Sequence, residues 1–276
     1  MVGRRHIGSG PGDSPLVMFA EELKAHRELA GLSQVQLGEV IAYSPSLVAK
    51  IETCGQVPSH DFAERCDKAL ATPGTFARMQ RQCTRVAYPG WFWPYLDREA
   101  EATILRSWQP LVVDGLLQTE GYARAILRAA RPRDRDEKID QLVTARMDRQ
   151  AILSRDDPPD LWVIIDEGVL RRPVGEPGVM TGQLDHLLTA ARQPGVTVQV
   201  MPSAAGAHPG LLGSLVIASF DRAPDIAYLD NALTGQLVER REDVTNVVML
   251  YDTLRAEALP PRASEQLITE VVGKWT

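Results

Sequence analysis

Gly31–Leu32–Ser33–Gln34–Val35–Gln36–Leu37 and, seven residues on, Ser44–Pro45–Ser46–Leu47–Val48–Ala49–Lys50 carry the strongest local signals in the chain. Gly31 suits the left-handed position that ends a helix. Ser33 with Gln36 three residues later forms a capping box: the hydroxyl accepts from the amide of residue 36, and the Gln side chain returns a bond to the Ser amide. The helix so started runs to about Ile41. Ser44–Pro45 then starts a second one, with Ser as N-cap and Pro at the first helical position. Leu37, Val40 and Ile41 face inward from the first helix, Val48 and Ile51 from the second, and Gly38 is small where the two must approach closely. Two short helices joined by a turn of about three residues make a helix-turn-helix.

Ser44, Ser46, Leu47, Ala49 and Lys50 are left on the outer side of the second helix. Helix N-termini offer free N–H groups and a positive dipole end to phosphate. A helix of this size fits the DNA major groove, where its first residues reach base edges. Leu23, Arg27, Ala30–Gly31–Leu32–Ser33–Gln34, Leu37, Ser44–Pro45–Ser46, Val48, Ile51–Glu52, Gly55 and Pro58–Ser59 resemble the Cro/repressor-type (xenobiotic-response-element) helix-turn-helix family. The resemblance implies that Gln34 touches the DNA backbone and that Ser44, Pro45, Ser46, Leu47 and Lys50 face the groove. Lys24, Arg27 and Lys50, with Arg4 and Arg5 near the start, are the cations for phosphate. Arg78, Arg81 and Arg85 add backbone contacts or form a solvated face. The sequence departs from the family at Thr53–Cys54–Gly55–Gln56–Val57, where members often carry Arg or Lys, and Pro45 brings no base-reading side chain. The alternative is a helix-turn-helix kept as a packing or dimer module.

Residues 1–15 are rich in Gly, Ser and Pro and read as a flexible arm. Residues 16–87 form the helix-turn-helix domain and its linker helix, and Tyr88–Pro89–Gly90–Trp91–Phe92–Trp93–Pro94 marks the junction. From 88 to 276 the pattern mixes helices and strands. Helices are expected over 98–108, 119–130, 135–154, 179–192, 243–258 and 264–272. The apolar run Leu161–Ile165 reads as a buried strand, 196–200 alternates with period two, and 213–220 pairs with 225–229 through the turn Asp221–Pro224. A short further strand fits 236–239. The fold class is α+β and multidomain: an all-α helix-turn-helix bundle, then a mixed α/β domain with a small sheet of about four to five strands.

The charge balance divides along the chain. The net charge of −6 over 276 residues splits into +1 for residues 1–87 and −7 for the rest. The acidity that opposes nucleic-acid binding thus sits mostly outside the reading head. Within 16–73, however, 5 basic residues face 8 acidic ones. Phosphate contacts dominate DNA affinity, so one head binds weakly, and two heads on half-sites about one helical turn apart are expected. The longest uncharged stretches, such as Leu211–Phe220, are far short of the ~20 residues of a membrane span. No apolar segment follows the basic start as in a secretory signal, and three cysteines make no disulfide framework. A soluble cytoplasmic protein is the expectation.

Tyr88–Phe92, Trp108–Val113, Gly115–Thr119, Tyr122–Ala125, Arg146–Gln150, Asp166–Glu167, Gly206–Gly210 and Leu254–Leu259 resemble an actinobacterial regulatory domain that follows this type of head. Such WhiJ-like or antitoxin-like regulators are typically encoded beside a small partner protein. The resemblance implies a regulatory context and no chemistry. Three of the five tryptophans fall within residues 91–108, so Trp91, Phe92, Trp93 and Trp108 read either as core or as a partner groove or ligand wall. Asp166–Glu167 after a buried strand, with His186 and His208 downstream, the latter in a Gly- and Pro-bounded loop, could form an acid–base pair with one of them. Otherwise they cap the next helix or pair with Arg171 or Arg172. There is no Gly–x–Ser–x–Gly, phosphate loop or His–Glu–x–x–His, so neither an enzyme nor a metal or other cofactor is expected. The reading is a sequence-specific DNA-binding regulator, acting as a homodimer on an operator, whose C-terminal domain senses a small protein or ligand. An antitoxin-like module that autoregulates its operon, or an enzyme fused to a DNA-binding head, are the alternatives.

Overall fold

The computed structural model describes residues 14–231 and 233–275. Most of the expected arm, with Arg4 and Arg5, lies outside them. The elements in chain order are α1 (Pro15–Leu29), α2 (Gln34–Ile41), α3 (Pro45–Glu52), α4 (His60–Ala69), α5 (Thr75–Val86), α6 (Trp93–Glu99), β1 (Ile104–Gln109), α7 (Glu120–Ala130), α8 (Asp136–Arg149), β2 (Asp160–Asp166), α9 (Glu167–Arg171), α10 (Pro177–Ala190), β3 (Val196–Met201), β4 (Ser214–Ser219), β5 (Ile226–Asp230), β6 (Gly235–Val238), α11 (Arg241–Glu257) and α12 (Pro261–Val272). They form two compact units. The first holds the residues up to Gly90 together with Asp134–Asp148, and the second holds Trp91–Arg133 and the chain from Arg149 onward. The sequence boundary at 87/88 assigned all of α8 to the second domain; the structure groups most of it with the first unit. Periodicity shows that a helix has an apolar face, not which body that face packs on.

In the first unit the capping box is complete: the Gln36 N–H donates to Ser33 Oγ (3.2 Å) and the Ser33 N–H to Gln36 Oε1 (2.8 Å). Ser44 caps α3 by accepting from the Leu47 N–H (3.3 Å). Gly38, within α2, is obligatory where that helix meets the turn and the start of α3, since a Cβ there would lie 2.8 Å from the Tyr43 carbonyl and 3.3 Å from the Pro45 nitrogen. Phe19, Leu23, Leu37, Ile41, Val48, Ile51, Val57, Phe62, Cys66 and Phe76 build one core. Val40 departs from expectation and is 60% exposed. Adjacent residues point about 100° apart on a helix, and on this eight-residue helix the inward position goes to Ile41.

The second unit is a six-stranded mixed sheet in the order β3-β2-β1-β4-β5-β6, one strand larger than the upper expectation. β1, β2 and β3 are parallel, and β4, β5 and β6 continue antiparallel. β1 is the strand that sequence reasoning assigned to a helix over 98–108. Ile104, Leu105 and Trp108 mimic helical spacing, and Arg106 and Ser107 break the apolar run. As a central strand β1 gives both polar residues distant partners: Arg106 donates from Nη2 to Ser219 Oγ (2.9 Å) and Asp225 (3.1 Å), while its buried Nε has no partner among the described residues, and Ser107 donates to Asp114 (2.6 Å). On one face Trp108, Ile164 and Ile217 pack with Val244, Val247 and Tyr251 of α11. On the other, Leu105, Val163 and Val198 pack with Leu184 and Leu187 of α10 and Ile268 of α12.

Candidate nucleic-acid interface

The α2–α3 pair is fixed by one buried ion pair. Arg27 on α1 donates from Nε to Glu52 Oε1 (2.6 Å), from Nη2 to Oε2 (3.0 Å) and from Nη1 to the Leu32 carbonyl (2.8 Å). Gln34 adds a bond from its amide to Glu52 Oε2 (2.8 Å). The side chains of Arg27 and Glu52 are 9% and 3% exposed. The bond to Glu52 raises the Arg27 pKa above its usual value. Burial opposes the charge on Glu52, but Arg27 and Gln34 outweigh it and hold the carboxyl below its ordinary value. This corrects the expectation for Arg27, which is a neutralised core group rather than a cation facing phosphate. Gln34 is half-buried and ties the start of α2 to the end of α3.

The outer side of α3 presents Ser44, Pro45, Ser46 and Lys50, all exposed. The Ser44 and Ser46 hydroxyls lie 3.1 Å apart and form a hydrogen-bonded pair. Leu47, expected to face the groove, is half-buried and packs on the core. Lys50 makes no salt bridge among the described residues, so its charge is available to an anion. Arg78 of the linker helix donates to the Pro73 carbonyl (2.6 Å), which fixes it locally.

Contacts from α4 hold the turn before α3. Tyr43 donates to Asp61 (2.8 Å), its ring meets Phe62 edge-on at 5.3 Å, and Arg65 donates to the Ile41 carbonyl (3.1 Å). Behind α4, buried Gln80 on α5 donates to Asp148 of α8 (3.0 Å). Burial pushes the Asp148 carboxyl up to about 7, against the Gln80 amide and the His60 backbone N–H that it accepts from. Sequence reasoning missed this group. The available signal was that Leu142, Ala145 and Asp148 follow one another at a spacing of three, which puts a carboxylate on an apolar helix face.

In the second unit the C-terminal candidates do not converge on one site. Phe92 sits in an aromatic cluster with Trp91 (6.1 Å), Tyr95 (5.3 Å) and Tyr228 (5.3 Å), and Trp91 and Trp93 are each a little over one third exposed. Trp108 is fully buried and donates to the Gly210 carbonyl (2.8 Å). His208 meets the Trp108 ring edge-on at 5.3 Å, and its Nδ1 is buried without a hydrogen bond. Asp166 caps α9 through the Gly168 N–H (2.7 Å). Glu167 pairs with Arg171 (2.6 Å) and accepts from the Ser203 N–H (2.8 Å). Burial raises the Glu167 pKa, but those two donors prevail and hold the carboxyl ionised below its usual range. Both carboxylates are thus committed to local structure, and the acid–base pair with His208 is not formed.

No helix among the described residues is long and apolar enough to cross a membrane. A helix-turn-helix domain model matches residues 18–78, and the model of a domain of unknown function (DUF5753) matches residues 92–270. No curated protein and no solved structure matches the chain.

Proposed function

The chain belongs to the DUF5753 family through residues 92–270, and from the head that precedes this domain we propose that it is a sequence-specific transcriptional regulator of the Cro/repressor type. The observation that carries the reading is α3: an N-capped helix whose exposed Ser44, Ser46 and Lys50 stand on a scaffold locked by Arg27, Gln34 and Glu52. The paired hydroxyls of Ser44 and Ser46 can donate to or accept from a base edge, and Lys50 supplies a phosphate contact. The regulator acts as a homodimer in the cytoplasm, and its C-terminal domain senses a small ligand or a small protein encoded beside it, without catalysis. Residue resemblance to actinobacterial antitoxin-like regulators supports the last part, and the commitment of Asp166 and Glu167 to structural bonds supports the lack of chemistry.

The test is salt-titrated fluorescence anisotropy on a duplex selected by this protein from a random library. Lys50→Ala is expected to weaken binding and to reduce the slope of log affinity against log salt by ~0.9, the share of one phosphate contact. Ser46→Ala changes base preference. If Lys50→Ala leaves both affinity and slope unchanged, α3 does not dock as described.

A further inference from the structure

Residues 134–148 lie inside the stretch matched by the DUF5753 model, yet they are part of the compact helix-turn-helix unit. Ile139, Leu142, Val143 and Ala145 of α8 are buried. Three polar bonds fasten it. Tyr88 donates to the Ala145 carbonyl (3.2 Å), Gln80 donates to Asp148 (3.0 Å), and Asp148 accepts from the backbone N–H of His60, the first residue of α4. One residue on, still within the same helix, Arg149 belongs to the second unit and is held there by Glu99 through two bonds of 2.6 Å.

We propose that α8 is the lever by which the C-terminal domain controls the reading head, with the Asp148 carboxyl as its latch on α4 and α5. This rests on the function proposed above. The route is short and made of named contacts. Asp148 fixes the start of α4 at His60. The next residue, Asp61, accepts from Tyr43, and Phe62 packs on the Tyr43 ring. Tyr43 immediately precedes Ser44, the N-cap of α3. Withdrawing Asp148 therefore loosens the turn that aims the recognition helix, which gives the network one element that both domains bias.

The latch is built to let go. Burial works against the charge of Asp148, and only the Gln80 amide and the His60 N–H oppose it. The His60 imidazole turns instead to Glu64 (3.4 Å). An ionised Asp148 near neutral pH is thus poorly compensated, so a modest pull on α8 releases it.

The experiment is amide hydrogen exchange on the full chain at pH 8, comparing wild type, Asp148→Asn and Gln80→Leu, with DNA affinity measured in parallel. The two substitutions act in opposite directions. Asp148→Asn removes the buried charge and slows exchange in 136–148 and in 42–47 together. Gln80→Leu removes a compensating donor, speeds exchange in both segments severalfold and weakens DNA binding. A merely structural role predicts that both variants loosen the unit. That result, or a change in 136–148 that leaves 42–47 unmoved, overturns the proposal. Failure of the regulator reading looks different: the wild-type chain binds no DNA while the two segments still exchange together, and the latch then stands without it.

Discussion

Replacing Arg27 by Met separates a core role from a DNA contact. The guanidinium makes three hydrogen bonds, two of them to a carboxylate whose side chain is 3% exposed. Deleting it leaves Glu52 buried with only the Gln34 amide, and breaking a buried pair in this way costs about 3–5 kcal/mol. Single domains are stable by roughly 5–15 kcal/mol, so Arg27→Met consumes a large share of the stability of the first unit. At ~4–8 °C per kcal/mol for a unit of this size, its melting midpoint falls by tens of degrees. The Arg27→Met, Glu52→Leu double variant removes both charges together and recovers most of the loss. Urea denaturation followed by circular dichroism measures this without changing ionic strength. The pH response supplies a second check. Glu52 is held below its ordinary pKa, so its contribution is present above the unfolded carboxylate value of about 4.3 and is lost as pH falls below it. In Arg27→Met the uncompensated carboxyl takes up a proton more readily, and mild acid then stabilises the variant. The reasoning is refuted if Arg27→Met melts within about 1 kcal/mol of wild type while the salt slope of DNA binding drops by ~0.9, because that is the behaviour of a surface phosphate contact.

Other outcomes follow from single contacts. A Cβ at Gly210 would lie 2.5 Å from Trp108 Cε2 and 2.6 Å from its Nε1, so Gly210→Ala displaces the loop and breaks the indole bond to residue 210; a cost of about 1–3 kcal/mol and an altered near-ultraviolet tryptophan spectrum are expected, and an unchanged spectrum refutes the packing. Asp148 is raised to about 7, so its favourable, protonated state is full below the ordinary Asp value and is lost as pH rises through about 7. The first unit therefore loses stability across that window, by an amount on the order of 4 kcal/mol at most, and is flat above it; Asp148→Asn abolishes the slope in pH-dependent urea titrations.

The parts of the molecule legible in the sequence are those set by local chemistry. The Ser33–Gln36 box, the Ser44–Pro45 start and Gly38 at the close approach of α2 to α3 each depend on residues a few positions apart, and each forms as read. The hairpin of β4 and β5 was likewise visible through its turn. What was hidden depends on partners distant in sequence. Arg106 and Ser107 made β1 look unlike a central strand because their acceptors, Asp225, Ser219 and Asp114, are supplied by other elements. Arg27 looked like a free cation because its acceptor lies 25 residues on. Ile139, Leu142 and Val143 marked an apolar face on α8, but nothing local said that residues 134–148 group with the reading head. In the candidate interface, the exposure of Ser44, Ser46 and Lys50 followed from helical spacing, whereas the partial burial of Leu47 depends on a core that helical spacing alone does not describe.

The buried ion pair also sharpens the case for two heads. Residues 16–73 carry 5 basic and 8 acidic groups, and Arg27 with Glu52 removes one of each from the surface. Arg65 is committed to Asp61 (2.8 Å) and to the Ile41 carbonyl. The cations left in that stretch are Lys24, Lys50 and Lys68. Each phosphate contact contributes a salt slope of only ~0.9, so a head with so few cations has little electrostatic affinity to draw on. Two hydroxyls on α3 can discriminate bases without greatly strengthening binding. Linking two such heads makes the second binding event intramolecular and can raise avidity by about 10²–10⁴ without any new contact. Measured against protein concentration, DNA binding by the full chain should therefore be cooperative, with two chains per duplex by mass. A single chain that holds a half-site tightly at physiological salt, even with Arg4, Arg5, Arg78, Arg81 and Arg85 replaced, would contradict the charge inventory, because these three lysines cannot supply that affinity.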